Sequence, residues 1–121
     1  GFFYRVTLRT EVTQAMTAAR EETFGPVMAL LRAGDEEAAV ALANDTRYGL
    51  AAAVWGEAGR AEAIAARLDT GQVAVNGIVK TDPRLPSGGV KRSGYGRELG
   101  PHGIHAFVNA QQVWVGPKQG G

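Results

Sequence analysis

The first pattern along the chain is an alternation. Over residues 3–8, Tyr4, Val6 and Leu8 fall on one side of an extended backbone, and Arg5 and Thr7 on the other. This is the period of a half-buried strand. Residues 10–13 are polar and turn-like. Residues 14–20, with Ala15, Met16, Ala18 and Ala19, favour a short helix. Gly25-Pro26 stops it and pushes the chain into an extended path. Residues 27–31 are continuously apolar, the pattern of a strand buried on both faces. Asp35 is placed as a helix N-cap, with Glu36 and Glu37 in the first turn, where the helix dipole favours anions. Ala39, Leu42 and Ala43 then supply an i, i+3, i+4 stripe, ended by Asn44-Asp45 and Tyr48-Gly49. Residues 50–55 read as a second buried strand. A second helix follows at 58–68, with Ala61, Ile64, Ala65 and Leu68 on one face, and a further strand at 72–76. The order β–α–β–α–β with short connections predicts a parallel sheet with crossover helices.

After this regular part the pattern breaks. Residues 77–103 contain no periodic stretch. Within them Leu85 to Gly100 (LPSGGVKRSGYGRELG) carries five glycines, three basic residues and one acid. Each glycine inside a helix or strand costs roughly 0.5–1 kcal/mol, so this is a loop packed against other backbone. Loops of this length in a compact chain are usually functional. Residues 104–108 suit a short helix. Gln111, Gln112, Val113, Trp114 and Val115 have strand character, and an apolar terminal strand wants a partner edge. Residues 116–121 read as a flexible tail.

Composition narrows the classes. The 121 residues suit one modest domain, and 45% hydrophobic with 21% charged residues is ordinary for a folded protein. Thirteen basic and twelve acidic residues leave a net charge of +1, which argues against a dedicated nucleic-acid binder. There are no cysteines, so disulfides, cysteine–zinc sites and a cysteine nucleophile are all excluded for this chain. No apolar run approaches the ~18 residues of a membrane span. The chain opens on Gly1 without a signal peptide, which reads as the interior of a longer protein or a processed end. Gly94-Tyr95-Gly96 opens like a dinucleotide fingerprint, but Leu99 stands where the third glycine belongs. Gly89 and Gly94 have Walker A spacing without its Lys-Ser/Thr. His102 and His105 lack further ligands nearby, so no metal site is expected. Trp55 and Trp114 read as core or interface aromatics. Glu21 and Glu22, on their own, read as a solvated pair.

Four collinear runs carry a family resemblance. They are Glu21-Glu22-Thr23-Phe24-Gly25-Pro26-Val27; Ala43-Asn44-Asp45 with Tyr48-Gly49-Leu50-Ala51-Ala52; Gly71-Gln72-Val73-Ala74-Val75-Asn76; and Gly88-Gly89-Val90-Lys91-Arg92-Ser93-Gly94 with Gly96-Arg97-Glu98. Together they resemble the C-terminal part of an aldehyde dehydrogenase, over residues 1–115. Asn76-Gly77-Ile78-Val79-Lys80, Asp82-Pro83-Arg84-Leu85-Pro86 and Ser93-Gly94-Tyr95-Gly96-Arg97-Glu98 are most similar to the succinate-semialdehyde dehydrogenase branch. The resemblance implies an α/β fold. Residues 1–103 would be the C-terminal part of the catalytic domain, a parallel βαβαβ segment with a long glycine-rich loop. Residues 104–115 would be a terminal helix and oligomerisation strand, and 116–121 a flexible tail.

It also implies an activity. Family members oxidise an aldehyde to the acid: a cysteine thiolate attacks the carbonyl, hydride leaves to NAD or NADP, and water hydrolyses the thioester. Glu22 matches the acid that holds the nicotinamide-side ribose, since a carboxylate accepts both hydroxyls of a vicinal diol. Phe24 matches the aromatic beside the nicotinamide ring, and Gly25-Pro26 sets the turn that aims both; Glu21 stays structural. The stretch 86–89 matches part of the substrate-tunnel wall. A phenylalanine usually precedes its two glycines, and this chain has Ser87. Arg84 and Lys80 are candidate anchors for a substrate carboxylate, set against the plainer reading of solvated loop cations. Arg97 and Glu98 are expected to form an ion pair or loop-fixing hydrogen bonds. The expected partners are an aldehyde, succinate semialdehyde by branch, and further copies joined through residues 111–115. No nucleic acid or membrane is expected, and the compartment is cytoplasmic. The nucleophile, the general-base glutamate, the oxyanion asparagine and the Rossmann domain lie upstream in the family. The chain is therefore expected to be an inactive fragment with no catalytic residue of its own. The alternative is a non-catalytic assembly module that pairs with full-length subunits.

Overall fold

A computed structural model describes residues 1–117; the last four residues of the expected tail, 118–121, lie outside the described residues. The elements run β1 (Thr7–Arg9), α1 (Thr17–Arg20), β2 (Val27–Ala29), α2 (Glu36–Asn44), β3 (Ala51–Val54), α3 (Ala58–Ala65), β4 (Gln72–Val75), a 3-10 turn (Lys91–Ser93) and α4 (Gly100–His105). The chain is α/β with parallel strand pairs, as expected. The single sheet is corrected to two separate two-stranded sheets, β1–β2 and β3–β4.

Each pair is a small βαβ unit with its own clamps. In the first, Thr7 opposes Val27 and Arg9 opposes Ala29. The ladder is closed at its ends by Thr7 N–H donating to Pro26 O at 2.9 Å and Leu30 N–H to Arg9 O at 2.8 Å. In the second, Ala51 opposes Gln72 and Val54 opposes Val75. Beyond that ladder Asn76 adopts φ 50°, a left-handed conformation that Asn tolerates better than most residues. Its side-chain amide then donates to Gly56 O and accepts from Gly56 N, both at 2.9 Å, which adds one more rung.

The helices begin where their caps dictate. Asp35 Oδ1 accepts from Ala38 N–H at 2.8 Å, as its sequence position predicts. Glu57 caps α3 by accepting Arg60 N–H at 2.8 Å and Gly59 N–H at 3.0 Å. Those two bonds, the Arg60 one first, hold its carboxyl below its ordinary pKa. Glu36 ties α2 to Arg60 of α3 at 2.6 Å and to Arg67, just past the end of α3, at 3.1 Å. α4 starts at Gly100, four residues before the expected 104. Pro101 sits in its first turn, where a missing N–H costs nothing.

Burial departs most from the sequence reading. Among the described residues the buried hydrophobic side chains are Val12, Val40 and Ala61. Tyr4, Val6 and Leu8, expected on a covered face, are exposed, and the strand there shrinks to Thr7–Arg9. Val27, Met28 and Leu30 are exposed as well, so the strand expected to be buried on both faces has bare faces. Leu50 and Trp55, at the ends of the next expected buried strand, are also exposed. Residues 111–115 form no strand, because a strand exists by its ladder and no described segment supplies a partner. The chain exposes 10016 Å². A compact chain of 12.7 kDa exposes about 6,200 Å² by size scaling.

Candidate functional site

The turn between α1 and β2 carries the first candidate residues. Glu21 N–H closes α1 by donating to Thr17 O at 2.9 Å. The chain then reverses through Phe24 at φ 45° and Gly25 at φ 127°, and Val27 N–H donates to Gly25 O at 2.8 Å as β2 begins. A phenylalanine in the left-handed region stores roughly 1–3 kcal/mol of strain. The ring stands 89% exposed. Glu22 and Phe24 line one open cleft of about 820 Å³ together with Tyr4, Arg9 and Pro26. The sequence reading named Glu22 and Phe24 but missed Tyr4 and Arg9. Strand pairing could have found Arg9, since the β1–β2 register sets it beside the strand that follows Pro26.

The glycine-rich loop carries the second set. Its path is fixed by the other motif residues. Asn44 accepts from Asp69 N–H at 2.8 Å and donates to Arg67 O at 2.9 Å, tying the end of α2 to the end of α3. Lys91 Nζ reaches Asn44 O at 2.8 Å and Asp69 Oδ2 at 3.1 Å. Val90 N–H donates to Gly49 O at 2.9 Å, and Ser93 Oγ accepts from Gly49 N–H at 3.1 Å. The approach is close enough to demand glycine. A Cβ on Gly71 would lie 1.9 Å from Gly88 O, and one on Gly49 would lie 2.6 Å from a Val90 methyl. Arg97 donates to Gly89 O at 2.6 Å and to Gly96 O at 2.9 Å. Of the two roles expected for Arg97, loop fixing is the one found.

Ser87 is half-buried and bridged to Glu98 by two 2.8 Å backbone hydrogen bonds. It lines a smaller cleft of about 370 Å³ with Gln72, Val79, Lys80 and Asp82. Arg84 does not line that cleft. Its guanidinium forks onto Asp82, Nε to Oδ1 at 2.9 Å and Nη2 to Oδ2 at 2.6 Å, while the side chain stays 85% exposed. The Arg84 guanidinium, and then the Arg84 N–H, hold the Asp82 carboxyl below its ordinary pKa, and Asp82 raises that of Arg84. Of the two candidate carboxylate anchors, Lys80 is the one that lines a cleft with Ser87. The two clefts share no residue. Among the described residues no cluster of three or more His, Cys, Asp or Glu is placed to hold a metal ion, and no helix is long and apolar enough to cross a membrane.

The chain belongs to the aldehyde dehydrogenase family, whose family model matches residues 1–113. It is 48% identical to succinate semialdehyde dehydrogenase [NAD(P)+] Sad of Escherichia coli, over 94% of this chain and 25% of that protein. Among solved structures it resembles a succinic semialdehyde dehydrogenase from Streptococcus pyogenes in complex with NADP+. There the TM-score is 0.89 and the identity 36%, over 95% of this chain and 26% of that one. It also resembles a Mycobacterium tuberculosis aldehyde dehydrogenase complexed with NAD+, with TM-score 0.83 and 44% identity, over 88% and 22% of the two chains. The chain spans about a quarter of the length of the curated relatives it matches.

Proposed function

We propose that this chain is the C-terminal quarter of an NAD(P)-dependent aldehyde dehydrogenase, and that it contributes two walls of an active site. The observation that carries the reading is the pairing of Glu22 and Phe24 in one cleft, on a turn whose backbone is bent to present them. The cleft suits the nicotinamide-ribose end of the cofactor. Glu22 offers acceptor oxygens to two neighbouring hydroxyls, and Phe24 offers a flat apolar surface. When bound, the nicotinamide supplies the hydride acceptor for aldehyde oxidation. Phe24 fixes the ring face and Glu22 the ribose, so the chain's part is orientation.

The second wall is the smaller cleft. Ser87 presents a hydroxyl and Lys80 a cation to one cleft, and with the Asp82 carboxylate there paired to Arg84 the site favours an aldehyde that carries a carboxylate. Succinate semialdehyde, named for several relatives, fits that description. Arg84 contributes by neutralising the Asp82 carboxylate on the wall of that cleft. The chain has no cysteine and hence no thiolate to attack the aldehyde, so it is inactive alone. Residues 111–115 form their strand against a neighbouring subunit, and the assembled enzyme works in the cytoplasm.

A hybrid polypeptide tests this. Replacing the matching C-terminal stretch of E. coli Sad with this chain should give a soluble enzyme that reduces NAD+ or NADP+ with succinate semialdehyde, while the 121-residue chain alone should not. A folded hybrid without turnover, or turnover by the chain alone, overturns the reading.

A further inference from the structure

Residues 5–30 carry the β1–β2 ladder and the hydrogen bonds local to α1, and residues 35–108 hold together through α2, β3, α3, β4 and the glycine-rich loop. Among the described residues one hydrogen bond crosses between these two bodies: Gln14 Nε2 donates to Asp45 O at 2.5 Å. The pair Glu11–Arg32, at 3.7 Å and about four-fifths exposed on both sides, adds little. On one side of the joint, Gln14 is bound into the segment that delivers the acids. Its own carbonyl accepts from Arg20 Nε at 2.7 Å, and Arg20 is the last residue of α1, directly before Glu21 and Glu22. On the other side, Asp45 is the C-cap of α2, and the carbonyl just before it, Asn44 O, receives Lys91 Nζ from the glycine-rich loop. Two successive carbonyls at one helix end thus receive a donor from the Glu22 side and a donor from the Ser87 side. Carbonyls at a helix C-terminus lack intrahelical partners and carry the negative end of the dipole, so both donors are favoured there.

From this geometry we infer that Gln14 is a positioning residue: through the carboxyl end of α2 it sets the distance between the Glu22–Phe24 turn and the glycine-rich loop. The inference rests on the proposed function, because it assigns the joint a role in bringing a cofactor and an aldehyde into register. A small displacement between two reactant sites lowers turnover while leaving the binding of each reactant alone nearly intact.

The test uses the Sad hybrid with two substitutions. Gln14→Met keeps the side-chain length and removes the donor; Gln14→Lys returns a donor at similar reach. In the Met variant kcat should fall about fivefold with the KM for cofactor and aldehyde each changed less than about twofold, and the Lys variant should recover most of that loss. Hydrogen exchange over residues 14–24 reads the same joint without turnover, and should quicken about threefold in the Met variant and slow again with Lys. Unchanged kcat and exchange in the Met variant, or a Lys variant no better than Met, overturns the inference. If the unsubstituted hybrid folds but does not turn over, the proposed function fails, and exchange alone then decides whether Gln14 holds the joint.

Discussion

At the scale of single residues, the proposed chemistry rests on groups whose partners differ. Glu22 lies in an open cleft with no side-chain hydrogen bond of its own among the described residues, so its carboxylate is free to accept two hydroxyls. An amide at that position keeps the shape and loses both the charge and one acceptor. A hydrogen bond to a charged group is worth about 1.5–3 kcal/mol. Glu22→Gln in the Sad hybrid should therefore lower kcat at least about tenfold, with a smaller effect on cofactor KM, in steady-state assays; unchanged kinetics would remove Glu22 from the site. Arg84 is the opposite case, a cation already forked onto Asp82. Because the folded-state pKa of Asp82 is depressed, the pair contributes above the ordinary carboxylate pKa and is lost as pH falls through the lowered one. A carbon NMR titration of the Asp82 carboxyl in the hybrid should thus show a midpoint below that of an ordinary aspartate. Arg84→Met should raise the midpoint only part of the way, since the residue-84 N–H still donates to Oδ1 at 2.9 Å. Equal midpoints in the two proteins would mean that the fork does not persist in solution, and Arg84 would then be free for a substrate without displacing Asp82.

At the scale of elements, what was legible in the sequence is what local chemistry decides. The Asp35 cap, the end of α2 after Asn44 and the turn at Gly25-Pro26 all follow from side chains acting on nearby backbone, and each is found; the strand expected at 72–76 is found over Gln72–Val75. The glycine density of the loop announced close backbone approach, and the Gly71–Gly88 contact is its cause. Gly71→Ala would force a Cβ into Gly88 O at 1.9 Å, so the loop must leave β4. Overpacking of this kind costs about 1–3 kcal/mol or more. In the hybrid the variant should lower the thermal midpoint and quicken exchange over residues 86–90; a midpoint equal to that of the unsubstituted hybrid would mean that the loop does not dock as described. What was not legible depends on partners distant in sequence. The run 27–31 is apolar throughout, which predicts burial on both faces, yet a run of apolar residues states a need and cannot name what meets it. The same holds for Trp114 between two valines. The link from Gln14 to Asp45 spans 31 residues, and a glutamine in a polar stretch gives no sign of it. Glu22 and Phe24 were named through family resemblance, while Tyr4 and Arg9, which complete their cleft, needed the β1–β2 register.

At the scale of the whole molecule, the surface sets the terms. The accessible area exceeds that of a compact chain of this mass by about 3,800 Å². A standard protein–protein contact removes about 800 Å² from each partner, so one patch against a second copy leaves most of the excess bare. The exposed apolar residues are also spread over several regions: Phe2, Phe3 and Val6 before β1, Phe24 in the turn before β2 and Met28 within it, Trp55 after β3, and Phe107, Trp114 and Val115 at the carboxyl end. A partner that covers all of these must wrap the chain, as the remaining three-quarters of a family polypeptide could and a small ligand could not. The buried hydrophobic side chains, Val12, Val40 and Ala61, are too few to offset the conformational entropy of ordering a chain of 121 residues. The isolated chain should accordingly bind an apolar fluorescent dye, self-associate at micromolar concentration and melt without a cooperative transition, whereas the hybrid should bind little dye and melt cooperatively. Calorimetry and sedimentation on the two proteins separate the cases. A sharp, reversible transition of a monomeric isolated chain would mean that these faces are stable in water as they stand, and the assembly-module reading would then displace that of a quarter of an enzyme.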